Sequence, residues 1–174
     1  MKSPDKIFFV GMPGSGKTTF GRKIAQELYR VFIDLDREIE KSSGKTIPEI
    51  FSQQGESAFR EIEKNCLRDI VAQHDKFLLA TGGGAPCFHD NMEFMRQNGL
   101  VVFLNQSVDY IVGRVLRKKH KRPMIEKLDD SEVQSEIAQM HKKRLPFYQE
   151  AHVVLDHDDI DINSAMEKLY MYDN

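Results

Sequence analysis

The sequence has little cysteine, and its cysteines follow no metal-binding or redox spacing. Its 174 residues include two cysteines, Cys66 and Cys87, which form no C-x-x-C pair. The pattern therefore indicates neither a disulfide framework nor a zinc site. Two small, buried thiols in a reducing compartment are the expected arrangement. A chain of this length is large enough to bury its own core as one domain, 1–174, without such cross-links.

Long apolar runs and an excess of one charge are also missing. No stretch approaches the length of a membrane span, and the N-terminus leads into the first apolar run without a signal-peptide pattern. The formal net charge of −2 provides no general attraction for nucleic acid or anionic membrane. We therefore expect a cytoplasmic protein that has neither nucleic acid nor a membrane as its partner. We also expect a monomer, because no long heptad or exposed apolar stripe is evident.

A glycine-rich segment stands where the first strand is expected to meet the first helix. Gly11–Thr18 reads GMPGSGKT, matches the phosphate-binding pattern G-x-x-x-x-G-K-[ST] at every fixed position, and follows the apolar run Ile7–Val10. Its glycines let the backbone N–H groups turn inward, toward the positive end of the helix dipole. Lys17 is expected to reach the β- and γ-phosphates of a nucleoside triphosphate, and the Thr18 hydroxyl to join a Mg²⁺ shell. The predicted nucleotide contacts of this loop come from Gly14, Ser15, Gly16, Lys17, Thr18 and Thr19.

Apolar runs of strand length alternate with helical patterns along the whole chain. Most of these runs are continuously apolar, which is typical of parallel strands that are covered on both faces. The alternation predicts right-handed βαβ units and a doubly wound parallel α/β sheet. The five predicted strands are Ile7–Val10, Val31–Leu35, Phe77–Thr81, Leu100–Leu104 and Val153–Leu155.

Capping patterns predict where several helices begin and end. Thr46-Ile47-Pro48-Glu49 reads as a capping box, and the helix that it opens is expected to stop at Gly55. Ser107 is the predicted N-cap of a later helix. A second capping box, Ser131–Gln134, is predicted to open a long helix that Pro146 ends or kinks.

Two groups of residues follow predicted strands and are expected near the nucleotide, because ligands of such sheets lie beyond the carboxyl ends of the strands. The second strand ends in Asp34-Leu35-Asp36, where strand alternation would place both carboxylates on one face. One could serve Mg²⁺ and the other could orient a substrate hydroxyl or accept its proton. The alternative is an N-cap at Asp36 and a solvated Asp34. The third strand ends in Gly82-Gly83-Gly84, where the missing side chains would let a ligand approach the backbone.

Arginines on the predicted helices suggest a ligand with negative charge. Arg60 has Glu63 three residues later, at a spacing that lets the carboxylate brace it. Arg144 lies near the end of the long helix. The basic run from Arg114 to Pro123 is interpreted either as a mobile lid that closes on phosphates or as a solvated helix end. For Arg60 and for Arg144, the alternative is an exposed charge on a helix.

Taken together, these segments resemble the shikimate kinases over essentially the whole chain. The resemblance implies the nucleoside monophosphate kinase-like branch of the P-loop fold, with a five-stranded parallel sheet flanked by helices and a mobile lid at about 117–128. It also implies transfer of the γ-phosphoryl group of ATP to the 3-hydroxyl of shikimate. The matching segments are Gly11–Thr18, Asp34-x-Asp36, Phe59-Arg60-x-x-Glu63, Gly82-Gly83-Gly84-Ala85, Arg122-Pro123 and Arg144-x-Pro146-x-Tyr148.

On the acceptor side, the resemblance implies a role for each matched residue. Asp36 would hold the ring hydroxyls and accept the proton of the 3-hydroxyl. Arg60 and Arg144 would clamp the substrate carboxylate, a task that suits guanidinium groups. The backbone of Gly83, within the triplet Gly82, Gly83 and Gly84, would contact the substrate.

On the nucleotide side, Asp34 matches the aspartate associated with Mg²⁺, beside Thr18. Arg122 matches the lid arginine that reaches the phosphates and, with Lys17 and Asp36, completes the catalytic set. Arg114 resembles the residue that lies over the adenine.

Two other functions use the same motifs. A related kinase could act on gluconate or on a nucleoside monophosphate, and gluconate also has a carboxylate for Arg60 and Arg144. A catalytically silent P-loop module could bind ATP to switch a partner, although it would not need the substrate residues Asp34, Asp36 and Arg122. The combined carboxylate, glycine and arginine pattern favours shikimate.

Overall fold

A computed structural model describes residues 4–117, 129–157 and 160–172. Within these ranges the chain forms one five-stranded sheet in which every neighbouring pair of strands is parallel, in the order β2-β3-β1-β4-β5. The prediction of a doubly wound parallel sheet is confirmed, and each strand boundary lies within one residue of the predicted one. The strands are β1 (Lys6–Val10), β2 (Val31–Asp34), β3 (Phe77–Ala80), β4 (Leu100–Asn105) and β5 (Val153–Asp156).

Helices cover both faces of this sheet because its strands are apolar on both sides. Ile7 and Phe9 of β1 pack with one helical layer, whereas Phe8 and Val10 pack with the other. All four side chains are fully buried. The helices are α1 (Lys17–Glu27), α2 (Leu35–Ser43), α3 (Ile47–Gln73), α4 (Asn91–Asn98), α5 (Val108–Leu116), α6 (Asp130–Tyr148) and α7 (Ile162–Met171), and a short 3₁₀ turn spans Ala85–Cys87.

The helix caps confirm some sequence predictions and correct others. Thr46 and Glu49 form the predicted capping box, and the Ser107 hydroxyl accepts a hydrogen bond from the N–H of Tyr110. The predicted helix end at Gly55 is confirmed, because the backbone leaves the helical conformation there, with φ at 82° and ψ at 173°, and a second helical segment of α3 follows after this kink. This conformation is almost restricted to glycine, which has no Cβ to clash.

The long helix α6 begins differently from the prediction. Asp129, and not Ser131, is its N-cap, and Asp129 forms the capping box with Glu132. An Asp-x-x-Glu box satisfies the same backbone groups as the predicted Ser-x-x-Gln box. Pro146 does not end α6, which continues to Tyr148. Among the helices that the structure describes, none is both long and apolar enough to cross a membrane.

Candidate active site

The phosphate loop connects β1 to α1 and has the backbone that its glycines predict. Gly11, Gly14 and Gly16 all have positive φ values, of 142°, 90° and 100°. Gly16 is the N-cap of α1 and has no side chain to cap the first amides of the helix. These N–H groups can therefore bind an anion at the positive end of the helix dipole. Lys17 is almost buried, and its Nζ donates to the carbonyl oxygens of Gly11 at 2.8 Å and Met12 at 2.9 Å.

A hydroxyl and a carboxylate meet beside this loop. Thr18 Oγ1 donates to Asp34 Oδ2 at 2.9 Å. Oxygen atoms of this kind suit Mg²⁺, which usually takes one or two protein ligands and completes its shell with waters and substrate phosphates. In the described ranges, no group of three or more histidine, cysteine and acidic side chains forms a larger metal site. Thr18 and Asp34 thus fit a Mg²⁺ ion that is shared with a nucleotide.

The two aspartates after β2 lie close together, but for a different reason from the predicted strand alternation. β2 ends at Asp34, whose carboxylate caps α2 by accepting a hydrogen bond from the N–H of Arg37. Asp36 lies in the first turn of α2. The alternative interpretation, in which Asp36 is the N-cap and Asp34 is solvated, is therefore also wrong. The sequence Asp34-Leu35-Asp36 fits a strand that continues to Asp36, and it fits equally a strand that ends at Asp34 with that residue capping a helix.

Asp36 is a partly buried carboxyl group that faces the glycine triplet. Burial raises its pKa above the usual range, and the nearby charge of Asp34 raises it further, whereas Lys17 acts in the opposite direction. A Cβ atom on Gly82 would lie 2.7 Å from Asp36 Oδ1 and 3.1 Å from Glu63 Oε1. Gly82 is therefore needed for the close approach of these two carboxyl groups. A carboxyl group with a raised pKa is suited to proton transfer near neutral pH.

Arg60 is enclosed by two glutamates and an aromatic ring. Its Nη1 donates to Glu63 Oε2 at 2.8 Å, and its Nε and Nη2 donate to Glu56 Oε1 at 3.3 Å and 3.1 Å. The ring of Phe88 lies 3.9 Å from the guanidinium carbon. Sequence reasoning identified Glu63 but missed Glu56 and Phe88. The spacing of four residues between Glu56 and Arg60 could have revealed the first, because both lie on α3.

The other two glycines of the triplet pack against parts of the protein. A Cβ atom on Gly84 would lie 2.7 Å from Arg60 Nη2, and one on Gly83 would lie 2.5 Å from Cδ of Pro13 in the phosphate loop. The triplet therefore lies between the phosphate loop and Arg60. Protein groups therefore lie close to the triplet backbone, and the predicted approach of a ligand to it stays a prediction.

Arg144 of α6 lies in the same region. Its Nη1 is buried and has no hydrogen-bond partner among the residues that the structure describes. Burial raises the pKa of Glu63, and the nearby charges of Arg60 and Arg144 both lower it. Both arginines therefore lie near Glu63. A buried guanidinium nitrogen without a partner is costly unless an acceptor binds it.

Arg114 of α5 lies over the phosphate loop. A Cβ atom on Gly16 would lie 3.4 Å from Arg114 Nη1, which donates to the hydroxyl of Tyr110 at 3.0 Å. The Tyr110 ring packs edge-on against His157, with their centroids 5.3 Å apart. Sequence reasoning missed Tyr110 and His157. Arg122, the predicted lid arginine, lies outside the described residues.

Of the remaining phosphate-loop residues, Ser15 is buried and Thr19 is exposed on α1. Gly14 lies against α5, where a Cβ atom would be 3.4 Å from Val115 Cγ2. The loop, the two aspartates, the glycine triplet and the arginines thus meet at the carboxyl ends of β1, β2 and β3. A parallel sheet with a phosphate loop after its first strand, and side chains of opposite charge beside that loop, is the arrangement of a P-loop kinase for small molecules.

Comparisons with known proteins identify the family within that class. A model of the shikimate kinase family matches residues 13–171. The chain is 42% identical over 168 residues to a shikimate kinase of Bacteroides thetaiotaomicron, covering 94% of this chain and 95% of that protein. It is also 42% identical over 171 residues to a shikimate kinase of Parabacteroides distasonis, covering 94% and 98% of the two chains. This chain belongs to the shikimate kinase family.

Solved structures show the same fold. The crystal structure of a shikimate kinase from Bacteroides thetaiotaomicron has a TM-score of 0.87 and 39% identity, and covers 97% of this chain and 96% of its own. A shikimate kinase from Acinetobacter baumannii, solved in complex with shikimate, has a TM-score of 0.81 and 34% identity, with 96% and 90% covered. The nucleoside monophosphate kinase-like fold implied by the resemblance is therefore confirmed.

Proposed function

We propose that this chain transfers the γ-phosphoryl group of ATP to the 3-hydroxyl of shikimate, giving shikimate 3-phosphate and ADP. The relatives named above are shikimate kinases, and one of them is solved with shikimate bound. The observation that carries the proposal for this chain is the buried, unpartnered Nη1 of Arg144. Together with Arg60, it would bind the carboxylate of an acceptor that approaches over the glycine triplet.

The acceptor hydroxyl would be aligned by Asp36. Its carboxyl group lies next to Gly82 of the triplet, and the triplet lies between the phosphate loop and Arg60. The pKa of this carboxyl group is raised. Asp36 would accept the proton of the 3-hydroxyl as the phosphoryl group transfers. The ring of shikimate would approach the backbone of the triplet Gly82, Gly83 and Gly84, and the backbone of Gly83 would contact the ring.

The nucleotide side would supply positive charge around the phosphoryl group. Lys17 would leave the carbonyl oxygens of Gly11 and Met12 and bind the β- and γ-phosphates, while Arg122 would reach them from a lid at about 117–128. Arg114 lies over Gly16 and would contact the base of ATP. The phosphates themselves would be held by Gly14, Ser15, Gly16, Lys17, Thr18 and Thr19.

The residues that would hold Mg²⁺ are Thr18 and Asp34, whose oxygen atoms lie 2.9 Å apart. The ion would neutralise phosphate charge when it is bound together with ATP. A single catalytic domain over 1–174, a monomeric state and a location in the cytoplasm stay predictions.

A coupled assay of ADP release tests the proposal. The purified protein is given ATP and Mg²⁺ with shikimate, gluconate or AMP, or without an acceptor. We expect turnover with shikimate alone, at the usual enzymatic rates of about 1–100 per second. The Lys17→Ala variant serves as the background for contaminating kinases. Turnover with gluconate or AMP but not shikimate would contradict the proposed acceptor, and ATP binding without transfer to any acceptor would indicate a switch module.

A further inference from the structure

Tyr148, the last residue of α6, is a buried side chain whose hydroxyl lies among the residues of the candidate active site, close to Gly83, Met12 and Arg144. Its exposed fraction is 0%, and its hydroxyl donates to the carbonyl oxygen of Gly83 at 2.6 Å. The chain separates these two residues by 65 positions. Burial raises the pKa of the Tyr148 hydroxyl well above its usual range, so the group keeps its proton and acts as a donor.

The hydroxyl lies where the phosphate loop meets the glycine triplet. It is 3.8 Å from the sulfur atom of Met12, which belongs to the loop. The next residue, Pro13, lies so close to Gly83 that a Cβ atom there would be 2.5 Å from Pro13 Cδ. Tyr148 therefore contacts both the segment that would bind ATP and the segment that would contact the acceptor.

The hydrogen bond determines the direction of one peptide group. The carbonyl of Gly83 and the N–H of Gly84 belong to the same planar, trans peptide, so they point in opposite directions. Holding the carbonyl toward Tyr148 turns the Gly84 N–H away from it. Within the described part of the chain, the N–H groups of Gly83 and Gly84 donate to no protein acceptor. They are available to a ligand.

The same peptide also leads to the arginine clamp. Gly84 is in contact with Arg60, as a Cβ atom there would lie 2.7 Å from Nη2 and 2.8 Å from Nη1. Arg144 lies one helical turn before Tyr148 on α6. A shift of the triplet would therefore change the space between the two arginines that would hold the acceptor carboxylate.

We propose that Tyr148 is a positioning residue, whose hydroxyl holds the Gly83–Gly84 peptide in register with the phosphate loop on one side and with Arg60 on the other. The proposal rests on the proposed function, because the acceptor would bind against this peptide. Without the hydroxyl, the triplet loses its polar contact with α6, and the acceptor hydroxyl is no longer aligned with the phosphoryl group. A misalignment of this kind affects acceptor KM and kcat but leaves ATP binding intact.

The test compares Tyr148→Phe with Phe103→Leu. The first keeps the ring that packs on Phe103 at a centroid distance of 5.1 Å but removes the hydroxyl. The second disturbs the same packing and leaves the hydroxyl in place. For Tyr148→Phe we expect shikimate KM to rise roughly 3- to 10-fold, the equivalent of one hydrogen bond, with a fall in kcat and an ATP dissociation constant within about twofold of the wild type. For Phe103→Leu we expect a lower thermal midpoint without a selective change in shikimate KM.

A second readout does not depend on activity. The chain has 11 glycines, so glycine-selective ¹⁵N labelling yields a short set of amide signals in the free protein. We expect the signals of Gly83 and Gly84 to shift in Tyr148→Phe more than those of Gly44 and Gly113, which lie outside the site. Unchanged triplet signals, or equal effects of both variants on shikimate KM, would overturn the positioning role. If the wild type is inactive with shikimate but Tyr148→Phe still shifts the Gly83 and Gly84 signals, the positioning role stands and the proposed acceptor is contradicted.

Discussion

At the scale of single residues, the site is defined by charged groups that are largely buried. Lys17 and Arg60 are each 8% exposed, and Glu63 is 1% exposed. Arg60 and Glu63 satisfy each other at 2.8 Å, and Lys17 is bound by two carbonyl oxygens of its own loop. Arg144 differs, because one of its buried nitrogens has no partner among the described residues. A ligand anion would therefore gain most at Arg144.

The first prediction concerns Lys17. Lys17→Ala should lower turnover with shikimate by about 10²- to 10³-fold or more, because it removes a positive charge where phosphate charge shifts in the transition state. The matched control is Lys23→Ala on the exposed face of the same helix, which should behave like the wild type. Steady-state kinetics measure both variants. Near-normal turnover of Lys17→Ala would contradict the role of the phosphate loop.

The second prediction concerns the carboxylate clamp. Arg144→Ala should weaken shikimate binding by about 2–4 kcal/mol, which is in the range for removing one partner of a desolvated charge pair. ATP binding in the absence of shikimate should not change. Isothermal titration measures both affinities, and Lys143→Ala, an exposed neighbour on α6, is the control. Equal shikimate affinity in Arg144→Ala and the wild type would rule out the clamp.

At the scale of elements, three connections bring the proposed catalytic and binding groups together. The turn from β2 into α2 places Asp34 and Asp36 beside the phosphate loop, and α6 supplies Arg144 and Tyr148 from the far end of the chain. The kink in α3 separates the capped first turns from the segment that carries Glu56 and Arg60. Each connection depends on one local feature: a cap, a helix end or a glycine.

The third prediction tests the α3 kink. Gly55→Ala should lower the free energy of unfolding by about 1–3 kcal/mol, because alanine is strained at φ 82° and ψ 173° even though no atom lies within 4 Å of the added methyl group. Gly113→Ala is the opposite case. It lies inside α5 in equally open space, at an ordinary helical position, and should stabilise the protein by about 0.5–1 kcal/mol.

Urea unfolding measures both variants. If Gly55→Ala is neutral or stabilising, the kink is not required by the fold and α3 becomes continuous. In that case the segment that carries Glu56 and Arg60 would turn relative to the capped first turns, and shikimate KM would be expected to change without a loss of stability.

At the scale of the whole molecule, one group of the candidate site, Asp36, lowers the stability of the folded protein when it is ionised. Asp36 is an ionisable group in a partly buried position, and desolvation raises its folded pKa above that of the unfolded chain. Between the two pKa values the folded state binds more protons, so the contribution of this group to stability falls as pH rises through that window. At neutral pH the ionised carboxylate is therefore the less favourable state for folding, while the proposed reaction uses it as a proton acceptor.

The fourth prediction follows from this opposition. Asp36→Asn should raise the thermal midpoint at pH 7 while lowering turnover with shikimate by about 10²- to 10⁴-fold. Its advantage in stability should shrink as the pH is lowered, because the wild-type carboxyl becomes protonated as well. The control is Asp69→Asn, an exposed carboxylate on α3. Thermal unfolding from pH 4 to 8 measures the difference, and a variant less stable than the wild type at neutral pH would show that Asp36 supports the fold.

Much of this protein is determined by local sequence. The strand runs, the phosphate loop and the caps at Thr46 and Ser107 follow from the periodicity of apolar residues and from short-range hydrogen bonds, which need no tertiary contact. Where two neighbouring residues are equally good helix caps, the local sequence does not determine which of them caps the helix. Asp129 with Glu132 and Ser131 with Gln134 are both good capping boxes, and Asp34 is as good an N-cap as Asp36.

Only the tertiary structure decided which groups meet. Tyr148 reaches Gly83 across 65 positions and Met12 across 136, and no periodicity relates residues at such distances. The unpartnered nitrogen of Arg144, the enclosure of Arg60 by Phe88 and the close approach of Asp36 to Gly82 also exist only once the helices pack on the sheet. The residue types of the site were evident from the sequence because chemistry restricts them, whereas their burial and pairing depend on the packing of distant elements.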